Sequence, residues 1–324
     1  MAGFRQRLGF RVSAAAARAL GIAEDYCFGA EGPDSPPLFI TGLPRGGTTL
    51  VCQAICHRFR VSYTSMLTNQ LPACPAFATW LVRRRIQSYE SNFRSDYGRS
   101  DSIGSPGESR IWNLWFDRYS PQSSLSEAHP HCQRVVRSFG QIERIGGAPV
   151  VTKNPRLSQW LHPMSELFPA ARFLLVVRDP RAVGLSLLRR RYRRGRNPAK
   201  WYSVLPRGHE TLQSRSPAGQ VAGQIAGILR GLKEDIPAIG SNRFMTVTYE
   251  DFCAEPGTFL SRLAEWMEAA GSTWTTQHEL PSAFEVSTRA GDGIPETADA
   301  ELDEWLGEID WNSLSLDTNL GSIP

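Results

Sequence analysis

The residues most able to do chemistry are Gly42-Leu43-Pro44-Arg45-Gly46-Gly47-Thr48-Thr49. They follow the apolar run Leu38-Phe39-Ile40-Thr41 and precede Leu50, Val51, Ala54 and Ile55 at helical spacing, so they read as the loop of a strand, loop, helix unit. Such a loop turns backbone N–H groups and the positive end of a helix toward one point, which suits a phosphate. Gly42, Gly47 and Thr49 fit the spacing G-x-x-x-x-G-K-[ST] of nucleoside-triphosphate loops, but Thr48 stands where that pattern requires lysine. The loop's cation is Arg45, three residues earlier. There it can meet a phosphate-linked leaving group rather than straddle a β,γ pair with magnesium, which points away from ATP hydrolysis.

A second constellation lies 133 residues beyond Arg45. Phe173 to Val177 is a strand-like run ending in Arg178; Asp179 is placed to cap a helix and Pro180 to open it. Ser186 follows Arg178 by eight residues, about two helical turns into that helix. A bidentate guanidinium at the strand end and a hydroxyl on the helix can grip one phosphate from two sides. A local cap of Arg178 on Asp179 is the plainer alternative, and it leaves Ser186 unaccounted for. Tyr249 opens the segment Tyr249-Glu250-Asp251-Phe252 after another strand-like run, where core packing would explain it equally well.

Residues Pro44 to Leu50 resemble the phosphosulfate-binding loop of sulfotransferases that use 3'-phosphoadenosine-5'-phosphosulfate (PAPS), usually written Pro, Lys or Arg, Ser or Gly, Gly, Thr, Thr. Val177-Arg178-Asp179-Pro180 with Ser186 resembles the same family's 3'-phosphate signature, and Tyr249 to Phe252 its Tyr-Glu-Asp-Leu segment. The likeness spans residues 37–60 and 148–270. It implies a P-loop, nucleotide-kinase-like α/β sheet and sulfonate transfer from PAPS to an acceptor hydroxyl or amine, releasing 3',5'-bisphosphoadenosine. It also implies donor contacts from Arg45, Gly46, Gly47, Thr48, Thr49, Arg178, Ser186 and Tyr249. Two features depart from the family: the 133-residue separation exceeds that common in cytosolic members, and their C-terminal glycine loop with its Trp-Lys ending is missing. Arg289, in Ser287-Thr288-Arg289, is expected to supply the late 3'-phosphate contact instead.

Sulfonyl transfer requires that the acceptor lose a proton as the 5'-phosphate leaves. A base beside the acceptor and fixed cations at the bridging oxygen suffice, and no metal is demanded. Arg45 with the loop amides is expected to stabilise the leaving phosphate. Lys153, in Thr152-Lys153-Asn154-Pro155, is a second catalytic candidate, because the chain holds only three lysines and a similar Lys-x-Pro segment occurs in the family's bacterial and carbohydrate-directed members. A surface lysine is the alternative. The base is expected to be Glu108, in Ser105-Pro106-Gly107-Glu108-Ser109, ahead of Trp112, Trp115 and Phe116, which suit a sugar face or another flat acceptor. A capping carboxylate is the competing reading, and His162 or His57 could substitute. His129-Pro130-His131-Cys132 lacks a second ligand group, so no metal site is expected. The rival functions are a small-molecule kinase of the nucleotide-kinase type and a non-catalytic nucleotide-binding module.

Positioning these groups requires a sheet. Runs at 38–41, 149–152, 173–177 and 244–248 read as buried strands. Between them lie helical stripes: Leu157 to Phe168, with Pro163 marking a kink or a second start; Val221 to Leu232; and Phe259 to Met267. Strand alternating with helix predicts a doubly wound, mostly parallel α/β sheet. The expected division is an N-terminal amphipathic segment 1–36, a sulfotransferase-like domain 37–290, and an acidic, at most weakly helical tail 291–324. Within the domain, residues 73–147 form a helical or irregular insertion that would choose the acceptor.

Composition bounds the rest. The 324 residues include 41% hydrophobic positions, and the net charge is only +4. No run is long and apolar enough to span a membrane, and Met1 to Ala30 lacks a signal's apolar core, so a cytoplasmic location is expected. The Arg-bearing start could touch an anionic membrane surface, though a helix packed on its own domain is the simpler reading. The six cysteines lack paired spacing and read as reduced thiols. Arg189 to Arg196 holds six arginines in eight residues but no aromatic platforms, so no nucleic-acid partner is expected; a solvated helix end or steering of an anion is. The expected partner is a small-molecule or glycan acceptor, with a glycan or lipid-linked hydroxyl preferred.

Overall fold

The computed structural model describes residues 14–94, 102–107, 112, 130–287 and 293–316. Helix α1 (Ala14–Phe28) leads to β1 (Leu38–Gly42), α2 (Thr48–Arg58), β2 (Phe59–Arg60), β3 (Ser62–Tyr63), α3 (Met66–Gln70) and α4 (Pro75–Gln87). Next come α5 (Pro130–Gly146), β4 (Val150–Lys153), a 3-10 turn (Pro155–Gln159) and α6 (Leu161–Leu167). They are followed by β5 (Arg172–Val177), α7 (Pro180–Tyr192), α8 (Pro217–Ile239) and β6 (Phe244–Thr248). The chain closes with α9 (Tyr249–Ala254), α10 (Pro256–Ala269), β7 (Thr275–Thr276), α11 (Glu296–Gly307) and α12 (Trp311–Leu314).

Five strands form one sheet in the order β3-β4-β1-β5-β6, and every pairing in it is parallel. The four runs marked in the sequence are its four longer strands. β2 and β7 make a separate antiparallel pair. Because successive strand side chains point to opposite faces, β1 and β5 each serve two cores. Leu38, Ile40, Leu174 and Val176 pack with Val51 and Ile55 of α2 and Leu260 and Leu263 of α10. Phe39, Phe173 and Leu175 pack with Phe139 of α5, Val183 and Leu187 of α7, and Val221 and Ile225 of α8. Burying each such side chain contributes about 1.5–3 kcal/mol, which is why these strands read as continuous apolar runs.

The topology locates the crevice. From β1 the chain passes to β3 and β4 on one side, then crosses to β5 and β6 on the other. The C-terminal ends of β4, β1 and β5 therefore diverge around β1, the usual place for a ligand in an open α/β sheet.

Two stretches are more ordered than their sequences imply. In 73–147, α4 and α5 are regular helices, and Val135, Phe139 and Ile142 of α5 face the core. In the acidic tail, α11 spans 12 residues and buries Ala298, Leu302 and Leu306. Leu302 lies so close to α7 that a Cβ on Gly184 would come within 2.9 Å of it. Arg181 of α7 donates to Asp303 at 2.7 Å and to Asp299 at 3.1 Å, fixing the helix by charge as well. The weak helical signal thus gains from tertiary contacts what it lacks in periodicity. Leu302→Ala is expected to lower unfolding free energy by about 2–4 kcal/mol, read from urea midpoints at constant slope. An unchanged midpoint would show that α11 adds nothing to the fold.

Candidate active site

The loop 42–47 holds its shape through backbone that only particular residues tolerate. Gly42 has φ 132°, and a Cβ there would come 2.1 Å from the Val176 carbonyl oxygen. Gly47 caps α2 with φ 92° and ψ 2°. Arg45 itself adopts φ 68°, uncommon for a residue with a side chain. Leu43 N–H donates to Val176 O at 3.3 Å and Gly46 N–H to Leu43 O at 3.0 Å, tying the loop to β5 and to itself. The N–H groups of Thr48 and Thr49 begin α2, where helix geometry gives them no intrahelical acceptor. The result is a concave set of donors at the positive end of an 11-residue helix.

The second constellation meets the first. Asp179 caps α7 by accepting from Ala182 N–H at 2.7 Å, and Pro180 follows at the first helical position. Ser186 accepts from Arg45 Nε at 3.0 Å. Arg178 Nη1 donates to the Arg45 carbonyl at 3.4 Å, and Nη2 donates to the Ser287 carbonyl. The Arg178 guanidinium stacks 4.4 Å above the Tyr249 ring. That ring also touches the loop: a Cβ on Gly47 would come 2.1 Å from Tyr249 Cδ2. Burial pushes the Tyr249 phenol above its ordinary value, so it is a neutral donor at neutral pH.

Lys153 comes to the same place from β4. Asn154 N–H donates to Ile40 O at 3.1 Å and the Thr41 hydroxyl to Pro155 O at 3.3 Å, stitching the ends of β4 and β1 together. Lys153 Nζ donates to Thr49 Oγ1 at 3.2 Å, and the residue is only 2% exposed. This is a buried cation under the loop, not a surface lysine. Its charge is felt one turn along α2: the buried Cys52 thiol is held below its ordinary value by the Cys56 hydrogen bond first, with Lys153 also lowering it.

Arg45, Gly46, Gly47, Thr48, Thr49, Lys153, Arg178, Ser186 and Tyr249 are thus all brought together at the C-terminal edge of the sheet. Glu108 and Arg289 lie outside the described residues, but the residues just before each are anchored at this edge. Before Glu108, Gly107 N–H donates to Thr64 O at 2.9 Å, and Pro106 forms a bridge with Ser65. Thr64 Oγ1 in turn lies 3.2 Å from Thr152 Oγ1, next to Lys153. Before Arg289, Ser287 touches both Arg178 and Tyr249.

The two histidines do not join this group. His57 accepts from Ser91 N–H at Nδ1 (3.2 Å) and therefore donates from Nε2 to Glu279 O (2.9 Å), while its ring stacks on His278. Both of its nitrogens serve packing. His162 on α6 pairs with Asp235 of α8 at 3.4 Å. Three participants were given no role from the sequence: Ser287 as an acceptor for Arg178, Thr64 as the link between Gly107 and Lys153, and Glu250, 3.7 Å from Arg178 Nε. The last two become visible only when separate strand ends converge.

A family model described as "Sulfotransferase family" matches residues 36–274. The chain is 23% identical over 285 residues to a protein-tyrosine sulfotransferase of Drosophila melanogaster, covering 85% of this chain and 48% of that protein. It is 22% identical over 276 residues to an omega-hydroxy-beta-dihydromenaquinone-9 sulfotransferase of Mycobacterium bovis, covering 75% of this chain and 66% of that protein. The chain therefore spans less than two thirds of the length of both relatives. Among solved structures, sulfotransferase STF9 from Mycobacterium avium aligns with TM-score 0.47 and 17% identity over 90% of this chain and 72% of that one.

Proposed function

The chain belongs to the sulfotransferase family, and from that premise we propose that it moves a sulfonate group from PAPS to the hydroxyl or amine of a small-molecule or glycan acceptor. The observation that carries the choice of donor is the coupling of the two anion sites. Arg45 and Arg178 are joined directly, and Ser186 bonds to Arg45. One compact nucleotide with charge at both 5' and 3' positions suits that pair. A kinase reading finds no support: Thr48 occupies the position of the triphosphate lysine, and the only nearby lysine, Lys153, arrives from another strand.

In this reading the 5'-phosphate binds the loop amides and Arg45, and Arg178 and Ser186 hold the 3'-phosphate, with Arg289 joining them. Tyr249, rigid against Gly47, orients the donor. As the bridging oxygen gains charge, Arg45, Lys153 and Thr49 stabilise it from fixed positions, so little reorganisation is needed. Glu108 takes the acceptor's proton. The anchoring of Gly107 through Thr64 to the neighbour of Lys153 supports that role, since the residue before Glu108 is tied to the strand end that carries Lys153.

Thermal shift with 3',5'-bisphosphoadenosine against ADP and ATP tests the donor. Bisphosphoadenosine at 100 times its Kd is expected to stabilise the fold by about 2.7 kcal/mol, and ADP by much less. Equal stabilisation by the two would refute the 3'-phosphate site.

A further inference from the structure

The outer face of α4 is unusual beside the rest of the surface. Its inner face buries Ala76, Ala78, Thr79, Val82 and Ile86. α1 covers the first turn of the outer face, where Phe77 meets Phe28 at 5.2 Å and its N–H donates to Glu24. Beyond that turn the helix is bare: Trp80 is 44% and Leu81 60% exposed. Ile103, 38% exposed, adds to them from the segment 102–107, where Gly104 lies against Arg85. α1 has an apolar outer stripe of its own, with Ile22 64% and Tyr26 92% exposed.

Positive charge accompanies this patch on α4. Arg83, Arg84 and Arg85 follow Leu81 after the buried Val82, and α4 contains no acidic residue. Among the described residues none of the three pairs with a carboxylate, and Arg83 stacks 4.9 Å from the Trp80 ring. The acidic side chains of α1 turn inward, Glu24 to Phe77 and Asp25 to Arg137. An aromatic side chain, aliphatic side chains and arginines that meet no carboxylate among the described residues match a bilayer interface, where rings sit at headgroup depth and cations meet anionic lipid.

The patch also adjoins the catalytic edge. Ile103 and Gly104 belong to the segment that pairs with Ser65 through Pro106 and leads into Glu108. We infer that the outer face of α4, with Ile103, docks on an anionic membrane surface, and that the acceptor is a hydroxyl-bearing amphiphile presented from that surface. The second half of this statement rests on the sulfotransferase reading; the first does not.

Cosedimentation of the full chain with phosphatidylcholine vesicles, with and without phosphatidylglycerol, tests the docking. The wild type is expected to pellet with the anionic vesicles and to be released by high salt. Trp80→Ser with Leu81→Glu, and separately Arg83→Glu with Arg84→Glu, are each expected to lower pelleting at least about tenfold, the first by removing apolar anchors and the second by reversing two surface charges. Both double variants should keep their stabilisation by bisphosphoadenosine, which shows an intact fold. Turnover of a long-chain alcohol embedded in the vesicles should fall about tenfold with binding, while turnover of a short water-soluble alcohol should not. No pelleting of the wild type, or equal pelleting of the variants, overturns the docking. So does a wild-type dimer that these substitutions convert to monomer, which would assign the face to a second copy. Vesicle binding without any response to bisphosphoadenosine would sink the donor reading and leave the docking standing.

Discussion

Arg178→Ala is expected to weaken binding of 3',5'-bisphosphoadenosine by about 10- to 150-fold, the loss of one charge-assisted contact worth roughly 1.5–3 kcal/mol. Affinity for 5'-AMP should change far less. The contrast matters because Arg178 has structural duties too: it donates to the Arg45 carbonyl and to Ser287 and stacks on Tyr249. If those duties were all it did, alanine would loosen the loop and both nucleotides would suffer alike. Glu250, 3.7 Å from Arg178 Nε, sharpens the test. A carboxylate this close competes with an incoming phosphate for the guanidinium, so Glu250→Gln should tighten bisphosphoadenosine binding modestly in the wild type and have no such effect once Arg178 is gone. Calorimetric titration of the four proteins with both nucleotides reads the outcome. Equal loss for bisphosphoadenosine and 5'-AMP in Arg178→Ala removes Arg178 from the 3'-phosphate site.

How much of this was legible in the sequence follows from how local each signal is. A loop between strand and helix is a contiguous pattern, so Gly42, Arg45, Gly47 and Thr49 announce it together. The same holds for the unit that runs from β5 through Arg178 and Asp179 to Ser186, where strand end, cap and helix position are fixed within 15 residues. That Arg45 and Ser186 would touch was not legible, since 141 residues separate them and only the parallel register of β1 against β5 joins them. Residues 73–147 read only as helical or irregular and the tail as weakly helical at most, so the bounds of α5 and α11 were not legible. In α11 the apolar positions are few and the bare Gly184 under Leu302 gives them a place to pack, whereas in α5 Cys132, Val135, Val136, Phe139 and Ile142 do keep helical spacing, and Phe139 packs against the rings of Phe39 and Phe168. The Leu157 to Phe168 stripe shows the converse. Pro163 correctly warned of a second start, for the chain makes a 3-10 turn to Gln159, breaks at Trp160, and begins α6 at Leu161.

Lys153→Met is expected to lower kcat by about 10²–10³ while leaving bisphosphoadenosine affinity nearly unchanged, the pattern of a contact that matters most as charge develops on the leaving oxygen. Its surroundings make the substitution unusually informative. Lys153 is 2% exposed and donates to the Thr49 hydroxyl at 3.2 Å, so its side chain lies almost wholly out of water beneath the loop. Methionine fills nearly the same volume without the charge, so the folded state should hold its stability or gain some. A structural lysine would give the opposite pair of results, a lower melting temperature with kcat little changed. The comparison with Lys153→Arg adds a second constraint. The planar guanidinium is longer and cannot present a compact donor beneath the loop, so arginine should rescue little activity even though the charge is kept. Measured together, unfolding midpoints and single-turnover rates decide the matter: if both variants transfer sulfonate at wild-type rates, Lys153 is not part of the chemistry.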